Sequence, residues 1–175
     1  MIFFTADQHY GHRNIIKYCN RPFSSVEEMD EELIKRHNKV IGIDDTVIHA
    51  GDFTLATRQI AGRYIRRLNG THKFLVGSHD KWIREINFPE IMVKKIDGQT
   101  IVVCHYAMLV WPHSHYNSWH LFGHSHGRLN DKIEGKSYDI GVDNNNFYPV
   151  SLEQIKTIME SRPDNFNLVK KAQND

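Results

Sequence analysis

No stretch of this 175-residue chain approaches the ~20 consecutive apolar residues that a membrane-spanning helix needs, so neither a transmembrane protein nor a membrane partner is expected. Cysteine is scarce. Cys19 and Cys104 are too few for a disulfide framework and are read as reduced thiols of a cytoplasmic protein. The opening Met-Ile-Phe-Phe-Thr-Ala-Asp has no basic leader and its apolar run stops at once, which argues against a secretory signal. An excess of one charge is also missing. Lys and Arg number 22 against 21 Asp and Glu, a formal net charge of +1. That balance argues against a large basic surface tracking long nucleic acid. It leaves room for a small phosphorylated substrate, because bound metals can supply a local positive field. Linkers, repeats and low-complexity tracts are absent, so one domain is expected over residues 1–160. A polar tail with a frayed end is expected over 161–175.

Histidine is abundant, with 12 residues. Apolar segments suited to strands cover residues 2–6, 46–50, 73–76, 91–96, 100–104 and 138–142. Asp97-Gly98 joins the fourth and fifth as a hairpin. Helical spacing marks 14–19, 26–40, 55–68 and 151–159, with Ser24 and Ser25 ahead of Glu27 and Glu28 in a capping-box pattern. Helices and strands alternate in the first half and strands dominate the second, an α/β pattern with mixed sheets.

Residues with metal-ligand chemistry sit directly after the strands. Asp7-Gln8-His9 follows the first, Gly51-Asp52 the second and Gly77-Ser78-His79-Asp80 the third. His105 follows residues 100–104, and Gly123-His124-Ser125-His126 follows Leu121-Phe122. In open α/β sheets functional groups gather beyond the strands' carboxyl ends. Residues i and i+2 of extended chain point to one side, so Asp7 with His9, and His124 with His126, can each aim two ligands at one place. Carboxylate plus imidazole suits Mn, Fe, Zn, Ni or Co.

In this order the motifs resemble those of the calcineurin-like metallophosphoesterase family. That family reads Asp-x-His, Gly-Asp, Gly-Asn-His-Asp or Glu, His, then Gly-His-x-His. Residues 11–16, Gly-His-Arg-Asn-Ile-Ile, and 141–143, Gly-Val-Asp, look like its small single-domain bacterial, archaeal and phage members. The resemblance implies an α/β fold, a four-layer α/β/β/α sandwich of two mixed sheets flanked by helices. It implies a dinuclear hydrolase of phosphodiesters or phosphomonoesters, with manganese favoured over iron, zinc or nickel. Asp7, His9 and His126 would hold the first metal, Asp52 would bridge both, and His105 and His124 would hold the second. His79 would assist the leaving group, and Asp80 would orient His79, cap a helix through Lys81, Trp82 and Ile83, or do both. Such a pair of metals lowers the pKa of a shared water toward ~7, so that hydroxide attacks phosphorus in line. The departure is Ser78, at the metal-ligand position where the family has Asn. Its hydroxyl is shorter and a poor ligand, so weaker binding of the second metal is expected.

His12, Arg13 and Asn14 follow the first ligand pair. They would contact substrate, or else Asn14 caps a helix while Arg13 is solvated. His113, His115 and His120 surround Trp111 and Trp119, either walling a pocket that stacks a nucleobase or packing among themselves. Arg58, Arg63, Arg66 and Arg67 read as a solvated helix face, and His49 and Cys104 as packed side chains. The expected partner is a small phosphoester, nucleotides included, with a homodimer as a further expectation. The competing functions are a scaffold that keeps the fold without metal competence, as the retromer scaffold subunit does, and a nuclease.

Overall fold

The structure is a computed structural model that describes residues 1–84 and 87–169. The elements in chain order are β1 (Ile2–Thr5), α1 (Arg13–Tyr18), α2 (Val26–Val40), β2 (Thr46–His49), α3 (Arg58–Ile65), β3 (Thr71–Phe74) and α4 (Lys81–Arg84). They continue with β4 (Ile91–Ile96), β5 (Gln99–Cys104), β6 (Trp119–Phe122), β7 (Ser137–Asp139), β8 (Val150–Ser151) and α5 (Leu152–Ser161). Two mixed four-stranded sheets form, ordered β3-β2-β1-β8 and β4-β5-β6-β7. In the first, β1, β2 and β3 are parallel and β8 is antiparallel. In the second, β5, β6 and β7 are parallel and β4 is antiparallel. The β4–β5 turn is the one Asp97-Gly98 foretells. Both residues take positive φ, 48° and 84°, as a tight primed turn requires.

Alternation along the strands builds the core. Phe4, Ala6, Ile48 and Ala50 of the first sheet face Ile101, Val103 and Leu121 of the second, and Ile155 and Met159 of α5 close the same cluster. Each fully buried Ile, Leu or Phe here contributes roughly 1.5–3 kcal/mol. Helices cover the outer face of the first sheet, where Met29, Leu33 and Ile34 of α2 join Phe53, Phe74 and Ile83. Ser25 caps α2 by accepting from the Glu28 N–H at 3.1 Å, and Ser151 with Gln154 forms a complete capping box on α5.

The outer face of the second sheet carries Val102, His120 and Phe122. The loop after β5 covers it, with Trp111 stacked on His120 at 5.3 Å. His120 fastens that loop through contacts with Met108 N and Tyr106 O, each at 3.2 Å. The histidine- and tryptophan-rich loop thus packs on its own side chains, while His113 and His115 are exposed. Burial lowers the pKa of His120 to about 4, and that of His37 on α2 to about 4 as well. Each must stay neutral when folded, whereas an unfolded histidine protonates near 6.5. Their contribution is therefore complete above pH 6.5 and is lost as pH falls toward 4. Up to about 3 kcal/mol per residue is at stake. Urea denaturation at pH 7 and pH 4.5 is expected to show a clearly lower midpoint at pH 4.5; equal midpoints contradict this.

Several boundaries differ from the sequence expectation. The helix expected over 55–68 begins at Arg58, because Thr54 Oγ1 turns back to donate to Tyr10 O and accepts from Ala56 N. The third strand lies two residues earlier than expected, since Thr71–Phe74 pairs with β2 while Val76 N turns away to Pro89 O. The strand expected over 138–142 ends at Asp139, whose carboxylate accepts Gly141 N at 2.8 Å and bends the chain into a 3₁₀ turn. Beyond α5, Asn165 is buried and its amide donates to Ser114 O and Ser118 O, so this part of the polar tail is fastened to the loop after β5. The frayed end expected at the C-terminus lies outside the described residues. Among the described residues no helix is long and apolar enough to cross a membrane.

Candidate metal centre

The carboxyl ends of β1, β2, β5 and β6 converge, and the backbone itself ties their turns together. Asp7 N donates to Gly51 O, His9 N to Asp52 O and Gly123 N to His105 O, each at 3.0 Å. The approach is so close that two positions require glycine. A Cβ on Gly77 would lie 2.3 Å from Asp52 N, and one on Gly123 would lie 2.6 Å from the Ala6 Cβ. Asp7, His9, Asp52, His124 and His126 all hold left-handed backbone, with φ of 61°, 55°, 55°, 66° and 50°. Such non-glycine residues cost roughly 1–3 kcal/mol each. The extended geometry expected for the Asp7–His9 and His124–His126 pairs is thus replaced by tight turns.

Among the described residues the donor atoms of the motifs form two groups, Asp7 with His9 and His126, and Asp52 with His105 and His124, while Cys19 and Asp143 make a third around the shared His126. Within each group the donors lie no more than 4.8 Å apart. Asp52 Oδ2 stands between the first two groups, 3.6 Å from His9 Nε2 and 3.3 Å from His105 Nε2. Outer contacts fix two of the rings. His105 Nδ1 meets Ala50 O at 2.8 Å, and His126 Nδ1 meets Asp143 Oδ2 at 2.7 Å, so each Nε2 is free to face inward.

The interior fits a cation. Asp7 Oδ1 and His9 Nε2 are buried and have no hydrogen-bond partner, although buried polar atoms are almost always paired. Burial raises the Asp7 carboxyl pKa to about 7 and lowers that of the His9 ring to about 2. At Asp52 burial works upward, but the hydrogen bond and charge of His105 win and the carboxyl is held low. Burial also disfavours the His126 cation. Hydrogen bonds to Asp143 and Cys19, together with the Asp7 charge, outweigh it and raise the pKa to about 10. An anionic carboxylate beside a neutral, lone-pair-bearing imidazole is the donor set a divalent ion selects.

Ser78 Oγ donates to Asp52 Oδ2 at 2.9 Å and Oδ1 at 3.2 Å, so its hydroxyl addresses the central carboxylate. His79 stands at the mouth, its side chain 46% exposed, with Nε2 3.9 Å from Asp52 Oδ2. Asp80, just ahead of α4, is buried. Its carboxylate accepts from the backbone N–H groups of Asp52 (2.6 Å), Phe53 (2.9 Å) and Gly77 (3.0 Å) and from Trp82 Nε1 (3.0 Å). It braces the two ligand turns.

A cavity of about 540 Å³ opens above the donors, walled by His9, His12, Asp52, His79, His124 and His126, with Ile15, Tyr18, Cys19, Leu55 and Arg128 around them. Of the three substrate-contact candidates only His12 lines it. Arg13 and Asn14 are exposed on α1, whose inward side chain is Ile15, and His12 rather than Asn14 stands at the N-cap position, without a side-chain cap. The sequence reading missed Tyr18 and Arg128, although Arg128 lies two residues beyond the last histidine motif. Arg128 Nη2 donates to Tyr18 O at 2.7 Å. The Arg58, Arg63, Arg66 and Arg67 face is exposed, and Arg67 pairs with Glu31 at 2.6 Å.

No family model matches the chain. An uncharacterized protein of Methanocaldococcus jannaschii is 35% identical over 170 residues, 91% of this chain and 91% of its own length. The crystal structure of a protein of unknown function from Aquifex aeolicus overlays with a TM-score of 0.69 at 22% identity, covering 90% of this chain and 98% of that one. A predicted phosphoesterase of Streptococcus pneumoniae overlays more loosely, with a TM-score of 0.44 at 16% identity over 80% of this chain and 70% of the other.

Proposed function

We propose that the chain, which shares a family with its Methanocaldococcus relative, is a metallophosphoesterase of the calcineurin-like kind and hydrolyses a small phosphodiester with two divalent metal ions. The observation that carries this reading is the pair of donor groups on either side of Asp52 Oδ2, with Asp7 Oδ1 and His9 Nε2 buried and unpartnered. Asp7, His9 and His126 would hold one ion, His105 and His124 the other, and Asp52 both. When bound, the ions stabilise charge on the phosphoryl group and make a hydroxide nucleophile available near neutral pH.

The side chains supply the rest. Asp80 keeps the Asp52 and Gly77 turns in register. His79, at the open mouth, donates a proton to the departing oxygen. His12 and Arg128 line the same cavity and steady the phosphoryl oxygens that point away from the ions. The cavity is open to solvent, which suits a diester with room for two substituents, nucleotides included, better than one enclosed group. Manganese is the proposed ion, the cytoplasm the proposed compartment and a homodimer the proposed assembly.

Ser78 gives the test. In the metal-stripped protein reloaded with Mn²⁺, Ser78→Asn is expected to tighten the weaker site by at least the ~10–100-fold that outer contacts alone can change. Hydrolysis of a chromogenic diester is expected to rise with it. If the unaltered chain already holds two ions tightly and Ser78→Asn changes nothing, serine suffices at this position. If neither form takes up metal nor hydrolyses the ester, the enzyme reading fails and a scaffold role replaces it.

A further inference from the structure

Arg21 and Asp143 belong to none of the five motifs, yet they meet at the back of the first donor group. Arg21 is fully buried at its side chain, and Asp143 nearly so. The guanidinium grips both carboxylate oxygens, Nε to Oδ1 at 2.8 Å and Nη2 to Oδ2 at 2.7 Å. It also donates to backbone carbonyls of the first ligand turn, Nη1 to Gln8 O at 2.9 Å and Nη2 to Asp7 O at 2.7 Å, and Nη1 reaches Met29 Sδ at 3.3 Å. Asp143 Oδ2 in turn accepts from His126 Nδ1 at 2.7 Å. One bidentate pair therefore ties the Asp7–His9 turn to His126, which lies more than a hundred residues away in the chain.

Two consequences follow from this connection. Asp143 engages the Nδ1 side of the His126 ring, so that Nε2 is the nitrogen an incoming ion would meet. The turn carrying Asp7 and His9 is fixed relative to that nitrogen, so all three donors are set before an ion arrives. Among the described residues the other donor group has no buried ion pair behind it, and only the His105 ring is fixed from outside, by Ala50 O. His124 is exposed, its Nδ1 lies 3.2 Å from His105 Nε2, and Ser78 stands where a longer ligand would reach.

We infer that Arg21 and Asp143 are positioning residues that preorganise the Asp7–His9–His126 group and make it the tighter of the two metal sites. The inference rests on the metal-centre reading above. Removing the pair is expected to weaken one site selectively, on the ~10–100-fold scale of outer contacts to metal-binding histidines. Asp143→Ala leaves a buried guanidinium unpaired and threatens the fold. The double variant Arg21→Met/Asp143→Leu removes both charges, a change that buried pairs often tolerate.

Titration calorimetry with Mn²⁺ and the visible absorption of Co²⁺ report the sites on the intact chain. The double variant is expected to keep its fold, lose affinity at one site by at least tenfold and leave the other unchanged. Asp143→Asn, which keeps an acceptor for His126, is expected to recover part of the loss. Proton and nitrogen-15 NMR of the metal-free protein should show a downfield, hydrogen-bonded His126 Nδ1–H in the unaltered chain that is lost in the double variant. If the double variant binds both ions as the unaltered chain does, or loses both in proportion, the pair is merely structural and the inference is overturned. A chain that takes up no ion at all refutes the metal-centre reading instead. The NMR comparison still decides whether the pair orients His126.

Discussion

Replacing His79 by alanine is expected to slow hydrolysis of an alkyl phosphodiester by about 10²–10⁴-fold, the usual worth of a positioned general acid. Bound metal should stay at the unaltered level. The argument is geometric. The His79 ring reaches the cavity mouth but stands 3.9 Å from Asp52 Oδ2, too far for a hydrogen bond. Its backbone N–H donates to Asp52 Oδ1 at 2.8 Å, which fixes the residue while leaving the ring at the solvent side. A group placed there serves the departing oxygen rather than an ion. The leaving group then becomes the diagnostic. A nitrophenolate departs readily without a proton and should hide most of the loss, whereas an alkoxide should reveal it. An equal loss for both esters, or a fall in metal content, would show that His79 shapes the site and does not donate the proton.

Asp80→Ala is expected to be the most destabilising single substitution near the site. The carboxylate accepts three backbone N–H groups at 2.6–3.0 Å and the Trp82 indole, in a place sealed from water. Alanine strands these donors at about 1–3 kcal/mol each. A total loss of at least about 3 kcal/mol should lower the melting temperature by roughly 6–12 °C for a chain of this size. Calorimetry of the metal-free protein measures it. Because the same oxygens hold the Asp52 turn, metal affinity should fall with stability. A metal-free melting temperature within a degree of the unaltered value would refute the bracing role.

Much of the fold can be read from local pattern. Residues 26–40 match α2 because helical spacing and the Ser25 cap agree, and Asp97-Gly98 specifies the hairpin by its own φ preferences. The five motifs were legible because each follows an apolar strand. What was not legible depends on partners distant in sequence. Asp80 serves Asp52, 28 residues earlier, and Arg21 grips Asp143, 122 residues later, and no spacing rule links them. Arg13 looked suited to substrate by its nearness to His9, but a helix turns neighbouring residues to different sides, and α1 turns Arg13 outward. Arg128 was overlooked because its place is set by the turn after His126, which no local pattern announces.

The left-handed turns at Asp7, His9, Asp52, His124 and His126 also bear on how this protein drifts under mutation. Wherever backbone strain sits beneath a ligand, glycine offers relief at the expense of that ligand. Selection for folding alone would then favour erasing the centre one residue at a time, and each erased copy could outlast its ancestor in the absence of substrate. A lineage in which the centre stays in use is expected to keep all five residues. Descendants released from that use should lose these positions before they lose the core beneath them.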